Sequence, residues 1–557
     1  MRGITTTTAS LRRMLGAAAR SERTGEDVGE VVQRSQEHAA AHRDDPQRYR
    51  ALRMEAGTLS RRGFLASAAA TVSGVALAGA PAVAAKGSTP RVAIVGAGLS
   101  GLRAAHWLWT VKGIAATVYE ANERIGGRCW TLRDHFAHGQ IVEHGGAFIN
   151  TDHNALRNLV NSLGLSLYEV NGGNQAPYSD VYWANGLYTY EQASVDWAAA
   201  WRSFKDALAA APYPQTYFSN TQAGLSLDRM TVDEWIDVNI AGGTQSRFGS
   251  LLRTNAVVEY GLDPGEQSAL NLVYLLGWNA QNSLDPLTGG DERFAVVGGN
   301  DQIIARMAQQ LPSGAIQRGH VLEALTRRSD GTASLTFRVD RKSTTVTADK
   351  VILALPFTTL RDVDRREAGL SPLKERAIAQ LGLGTNGKIH VQLESRPWLA
   401  AGYGGVTYSP IHELQCAWDD TVNQPGSQGG SVTPSSPGIL CQFPGGSATS
   451  AQWTGSAFGT APQAQVDQFL RWAERVYPGV TSAYNGRSWR DAWHLNPWSR
   501  GAYTCPRPGQ YTQVFGIPEL PEGPFHFAGE HTSSEFFGFL NGAVQAGERA
   551  AKEVALA

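Results

Sequence analysis

The chain has 557 residues, of which 42% are hydrophobic and 18% charged, so it can bury a sizeable core and is not a disordered tail or a filament. Forty-nine basic residues balance 50 acidic ones, a net charge of -1, which excludes the basic footprint of a nucleic-acid binder or of a protein held on an anionic membrane. Sixty-one glycines fit a loop-rich α/β enzyme better than a helical bundle.

Residues 1–59 are polar, charged and Ala-rich, and weak helix or disorder is predicted there. Arg61-Arg62 then precede a mildly apolar run from Phe64 to about Ala82, and Ala82-Val83-Ala84 supplies a small-x-small cleavage pattern. This is the layout of a signal peptide in residues 1–85. Ser67, Thr71 and Ser73 dilute the run, which is too weakly apolar for a membrane span. "SRRGFL" resembles the twin-arginine signal, which exports folded proteins, so a periplasmic or extracellular address is expected. The cysteines (Cys129, Cys416, Cys441 and Cys505) form no CxxC pair, so neither a zinc ribbon nor a redox dithiol is indicated. One or two disulfides are open to them in an oxidising compartment.

"RVAIVGAGLSGLRAAHWLW" reads as strand, tight turn and helix. Val92 to Val95 have the β-branched pattern of a buried parallel strand. Gly96, Gly98 and Gly101 permit the turn, the approach of a pyrophosphate and close helix packing, in that order. The following strand ends in Glu120, placed to accept hydrogen bonds from a ribose and to disfavour a 2′-phosphate. Gly126-Gly127-Arg128 adds a second flexible turn with a cation, suited to a longer cofactor than NAD.

On this order of GxGxxG, Glu and GGR, joined by "IVEHGGAFI" at 141–149, the chain resembles the flavin-containing amine oxidase family: monoamine, polyamine and L-amino-acid oxidases. The resemblance implies that Glu120 binds ribose and that Arg128, Gly146, Ala147 and Phe148 serve the flavin end. It extends to Val321, where the family contacts adenine, and to "FHFAGEHTSSEFFGFLNGAVQAGERAA", where Gly529 and Glu530 match the position that bonds the ribityl chain and Gly542 to Arg549 form the closing helix. The matched motifs span about 90 to 555. The implied fold is α/β + α+β: a Rossmann-like FAD-binding domain of the GR2 type (90–150, 291–356 and 501–557), interleaved with a substrate-binding domain of mixed sheet and helices (151–290 and 357–500).

By the same resemblance Lys388 in "GTNGKIHVQLE" matches the lysine that holds a water at flavin N5, where a cation favours the negative charge developed as oxygen is reduced. On strand alternation alone Lys388, His390 and Gln392 share one face, and a solvent-facing lysine is the plain expectation. Trp493 matches an aromatic that flanks the flavin, and Tyr503 and Phe539 match the two walls of a substrate cage that guides an amine. Ala502 stands where mammalian-type monoamine oxidases carry the cysteine bound to the flavin, and Cys505 is offset by three residues. Noncovalent FAD is therefore expected. Phe148 lies in the region where L-amino-acid oxidases carry a carboxylate-binding arginine, which favours an amine without a carboxylate unless Arg293, Arg490 or Arg500 compensates. Asp152, Glu259 and Glu413 are candidate acids for a polyamine tunnel.

The expected activity is oxidation of a primary amine or polyamine with O2, giving aldehyde, ammonia and hydrogen peroxide, with no nucleic acid, no metal and no membrane span involved. Dimers are common in the family, while the sequence itself leaves the oligomeric state open. The alternatives are an L-amino-acid oxidase or amino-acid 2-monooxygenase of the same fold, and an FAD-binding scaffold without activity.

Overall fold

The computed structural model describes residues 90–556 apart from 171–178, 185, 285–289, 413 and 426–431. The expectations for the first 85 residues and for Glu413 therefore lie outside the described residues. In chain order the elements that build the site are β1 (Val92–Val95), α1 (Leu99–Lys112), β2 (Ala116–Tyr119), α2 (Arg247–Tyr260), β3 (Ile316–Gln317), β4 (Lys350–Leu353), β5 (Gly387–Leu393), β6 (Tyr484–Ala492), β7 (Phe525–Phe527) and α3 (Leu540–Leu556).

Five strands form a wholly parallel sheet in the order β7, β4, β1, β2, β3. All four residues of β1 are buried, as befits a parallel strand covered on both faces. β4 stops at Leu353, where its pairing with Val95 ends and Gly96 turns the neighbouring chain away. The closing helix, predicted over 542–549, extends over 540–556 because Val544, Ala550, Ala551 and Val554 continue its buried stripe. It packs against α1 so closely that a Cβ on Gly547 would collide with the Ser100 carbonyl oxygen. Val321–Arg327, Ala333–Val339 and Lys342–Ala348 form a meander, antiparallel in sequence order.

An eight-stranded sheet runs Phe458–Gly459, β6, β5, Gly438–Gln442, Cys416–Asp419, Tyr403–Tyr408, Ser179–Trp183 and Leu187–Tyr188. β5 is flanked on both sides, and all seven of its residues are buried. The plain expectation of a solvent-facing Lys388 is thereby corrected: the strand alternates, but its polar face is interior as well. The four cysteines are buried and free.

Candidate active site

The turn after β1 has the geometry expected of it. Gly96 sits at φ +101°, a region that penalises a Cβ. A Cβ on Gly101 would collide with the Gly96 carbonyl oxygen, whereas one on Gly98 would meet nothing closer than the Gly127 Cα at 3.9 Å. The mouth of the loop is thus open where a ligand backbone would pass. α1 begins at Gly98 with no side-chain cap and no acid in its first turn, leaving its first N–H groups free to meet an anion. Glu120, at the end of β2, accepts from Ala97 N at 2.7 Å and Asn122 N at 2.9 Å. Its backbone carbonyl accepts from His320 N at 2.8 Å, which sets Val321 beside it. Gly529 N donates to Ser100 Oγ at 2.9 Å, tying the end of β7 to the same loop.

Glu530, buried, organises the next group. Its Oε1 receives Arg128 Nη1 at 3.1 Å, and its Oε2 receives Thr504 Oγ1 at 2.9 Å and Gly538 N at 2.7 Å. Arg128 Nη1 also donates to the Ala502 carbonyl. Arg128, Glu530 and Ala502 are therefore neighbours, although they lie up to 402 residues apart in sequence.

The glycine pair is held by its carbonyls. Lys388 Nζ donates to Glu143 O at 2.8 Å and Gly145 O at 2.9 Å. Trp493 Nε1 donates to His144 O at 2.8 Å. Asn300 Nδ2 donates to Gly146 O at 2.9 Å and Ala147 O at 2.8 Å. Five consecutive carbonyls are thus taken by three side chains from distant segments. Gly145 has no room for a Cβ beside the Arg128 carbonyl, and a Cβ on Gly146 would lie 2.9 Å from Leu540 Cγ at the start of α3. An ammonium carries three donors, so Lys388 keeps one beyond the two given to this segment. Glu143 is buried beneath it, accepting from Thr131 Oγ1 at 3.0 Å and Asn300 N at 2.7 Å. Burial, opposed by those bonds, pushes its carboxyl up to about 8.

Phe148 follows the clamped segment, its ring edge-on to Trp418 at 5.8 Å. Tyr503 Oη donates to Val258 O in α2 at 3.0 Å. Gly538 lies against the Tyr503 ring and Phe539 follows it directly, the Phe539 ring packing edge-on to His153 at 5.1 Å. Glu530 thus anchors both Thr504, next to Tyr503, and Gly538, next to Phe539. The three arginines offered as carboxylate receptors are engaged elsewhere: Arg293 with Glu169, Arg490 with the carbonyls of Thr454 and Ser456, and Arg500 with Asp362. Asp152 is exposed in the turn before the helix Asn154–Ser162.

Residues 99–555 match the model of the flavin containing amine oxidoreductases. The chain belongs to the flavin-containing amine oxidase family. It is 26% identical over 495 residues to amine oxidase [flavin-containing] A of Bos taurus, covering 83% of this chain and 84% of that one. It is 25% identical over 475 residues to the Oncorhynchus mykiss enzyme, covering 83% and 85%. Among solved structures, cyclohexylamine oxidase from Brevibacterium oxydans IH-35A superposes with TM-score 0.69 at 22% identity, over 84% of this chain and 99% of that one. Wild-type putrescine oxidase bound to putrescine gives TM-score 0.67 at 23% identity, over the same shares. These two carry the fold: an FAD-binding part joined to a substrate-binding part.

The family makes this chain a flavin-dependent amine oxidase acting on small-molecule amines with O2. Its residues fit the cofactor. The uncapped start of α1, the open Gly98 and the carboxylate of Glu120 suit the phosphate and ribose groups, and Lys388 keeps a donor beyond the two it gives to the glycine pair. Among the described residues no helix is long and apolar enough to cross a membrane.

An amine oxidase reading of the sequence alone misses what supports these groups. Asn300 lies in an ordinary "GGND" turn and gives no local signal of its reach to Gly146. Equally silent is a buried network under β5. Asp491 of β6 pairs with Lys388 in register and accepts from His144 Nδ1 at 2.5 Å and Trp489 Nε1 at 3.2 Å. His390 stands between Asp420 at 3.2 Å and Asp491 at 3.4 Å. The two carboxylates and the nearby Cys441 hold His390 above the usual imidazole range, against the effect of burial. The histidines hold Asp491 down at about 2, again against burial.

Proposed function

We propose that the chain is an exported amine oxidase with noncovalent FAD, acting on a primary amine or polyamine that carries no carboxylate. When bound, FAD supplies the chemistry: it accepts a hydride from the amine α-carbon at N5 and is reoxidised by O2 to give H2O2, the imine hydrolysing to aldehyde and ammonia. The carrying observation is that the three arginines weighed as receptors for a substrate carboxylate, Arg293, Arg490 and Arg500, each have other partners, while Phe148 follows the clamped segment and packs on Trp418. A carboxylate buried there would stand uncompensated.

In this reading Tyr503 and Phe539 present their faces to the amine, held apart by Gly538. Lys388 orients a water with its third donor and opposes the negative charge that develops on oxygen. Trp493 fixes the backbone beside the flavin through His144 O. Glu120 and Glu530 hold the ribose and the ribityl side, the latter by aligning Arg128. Ala502 offers no nucleophile for a covalent link, and Cys505 is buried against Asn271, which supports noncovalent binding. The segments 90–150, 291–356 and 501–557 are assigned to the cofactor, and 151–290 and 357–500 to the substrate. Export by the twin-arginine route completes the proposal, since a cofactor loaded before export and regenerated by O2 needs no outside supply.

Peroxide release from purified protein over a panel of amines and α-amino acids tests the substrate class. Turnover confined to α-amino acids would overturn it, and a protein that binds FAD but turns over nothing would favour a scaffold. Denaturation is expected to release the yellow colour into solution; colour left on the precipitate would contradict noncovalent binding.

A further inference from the structure

The clamped segment 143–147 has an anchor behind it. His144 gives its carbonyl to Trp493, and the carbonyls on either side of it, Glu143 O and Gly145 O, hold Lys388. The His144 side chain is wholly buried, and its Nδ1 lies 2.5 Å from Asp491 Oδ1. An ionised carboxylate only accepts, so the proton of this contact sits on Nδ1. Burial holds the imidazole below its usual range, and Nε2 meets no partner among the described residues. The ring lies flat on Trp130, with centroids 3.5 Å apart and planes 17° from parallel, and Arg124 stands 4.2 Å from the Trp130 ring. His144 is thus held by two separable contacts, a stack and a single charge-assisted bond.

The bond leads back to the lysine. Asp491 on β6 pairs in register with Lys388 on β5. Its Oδ1 also receives Trp489 Nε1 at 3.2 Å, and its Oδ2 lies 3.4 Å from His390 Nε2, so the carboxylate is gripped at both oxygens. A closed circuit of contacts results. It runs from Lys388 across the strand pair to Asp491, through the His144 ring to its backbone, and by the flanking carbonyls back to Lys388 Nζ. The flexible stem of a lysine does not fix its ammonium; the acceptors do. Glu143 is tied by its side chain to Thr131 and Asn300, and Gly145 has no side chain. The link from the lysine's acceptors to β6 therefore runs through His144.

We propose that His144 is a positioning residue for the oxygen half of the reaction: its bond to Asp491 holds Glu143 O and Gly145 O where they aim the Lys388 ammonium. This rests on the role proposed above for Lys388. Substitution can separate the bond from the stack. Phenylalanine keeps a flat ring on Trp130 but brings no donor. Asparagine places its amide nitrogen where Nδ1 stood, so it keeps the donor and gives up the stack. Glutamine carries its amide to the place of Nε2, past the carboxylate.

The test is rapid mixing of O2 with holoenzyme reduced by stoichiometric dithionite, beside anaerobic reduction by phenethylamine. His144→Phe is expected to slow reoxidation about 10-fold, as a small misplacement of a charged group does, and to leave reduction within about 2-fold. His144→Asn is expected to stay close to the wild type in both. In a Lys388→Met background, His144→Phe is expected to slow reoxidation no further, because it acts through the lysine. A merely structural role would slow both half-reactions and add to the effect of Lys388→Met. A second readout is independent of turnover: the proton NMR spectrum of the oxidised holoenzyme is expected to show a far-downfield Nδ1 proton, the mark of a short bond to a carboxylate, which both His144 variants lose. Wild-type reoxidation in His144→Phe would overturn the proposal, as would equal slowing in His144→Asn, additive effects in the double variant, or no downfield proton that depends on His144. Where His144→Phe does not fold, His144→Gln takes its place, and wild-type reoxidation there would overturn the proposal equally. Reoxidation untouched by Lys388→Met alone would instead overturn the reading of Lys388, and this inference with it.

Discussion

In the proposed reaction the oxygen half is assigned to Lys388. Its two bonds to Glu143 O and Gly145 O fix the ammonium and leave one donor for a ligand. Lys388→Met removes that donor and the charge, and reoxidation by O2 is expected to slow about 100-fold, while anaerobic reduction by amine changes far less. Rapid mixing of the reduced protein with O2 reads this directly, and equal slowing of both half-reactions would refute the role. Lys388 was legible in the sequence only through its resemblance, because strand alternation predicts a surface lysine just as well. The partners that hold it were not legible. Glu143 and Gly145 sit 245 and 243 positions away, and no periodicity links groups that meet only after folding.

At the scale of elements, two junctions hold the site together. The first is the buried network between β5 and β6. Asp491 is held down at about 2 against an ordinary 3.8, so its contribution to stability is present above pH 4 and is lost as pH falls from 4 towards 2. His390 is held above 6.5, so its contribution is present below that value and is lost as pH rises through its raised value. Asp491→Asn leaves His144 and His390 without their shared carboxylate and is expected to cost about 3 kcal/mol. The difference in Tm from wild type should be widest between pH 4 and 6.5 and should shrink below pH 4; a difference independent of pH would count against a charged pair. The second junction is α1 against α3. Gly547→Ala would drive a methyl into the Ser100 carbonyl, and overpacking of this kind costs about 1–3 kcal/mol. Since Ser100 Oγ also receives Gly529 N, flavin affinity should fall with Tm, measured as FAD released on dilution. The parallel sheet and the Gly96 turn were plain in the sequence because their signals are local. The extent of α3 was not, because its last two turns are specified by what α1 presents to them.

Over the whole molecule, the active site is assembled from segments that no stretch of sequence shows to be close. Arg128 meets Ala502 and Glu530, Tyr503 meets Val258, and the clamp on 143–147 draws from Asn300, Lys388 and Trp493. The fold class and the cofactor loop could be read in advance, since both follow from ordered motifs. The substrate side could not. The three arginines that kept an amino-acid oxidase in play proved to be bound elsewhere, a fact about tertiary partners alone. Their engagement supports the proposed amine site without a receptor arginine for a carboxylate. The direct trial is anaerobic mixing of the purified yellow protein with a matched pair, phenethylamine and L-phenylalanine, followed by flavin absorbance. Bleaching by the amine, with the amino acid at least about 100-fold slower for want of a partner for its carboxylate, is the expected result. Bleaching by the amino acid at the faster rate would contradict it.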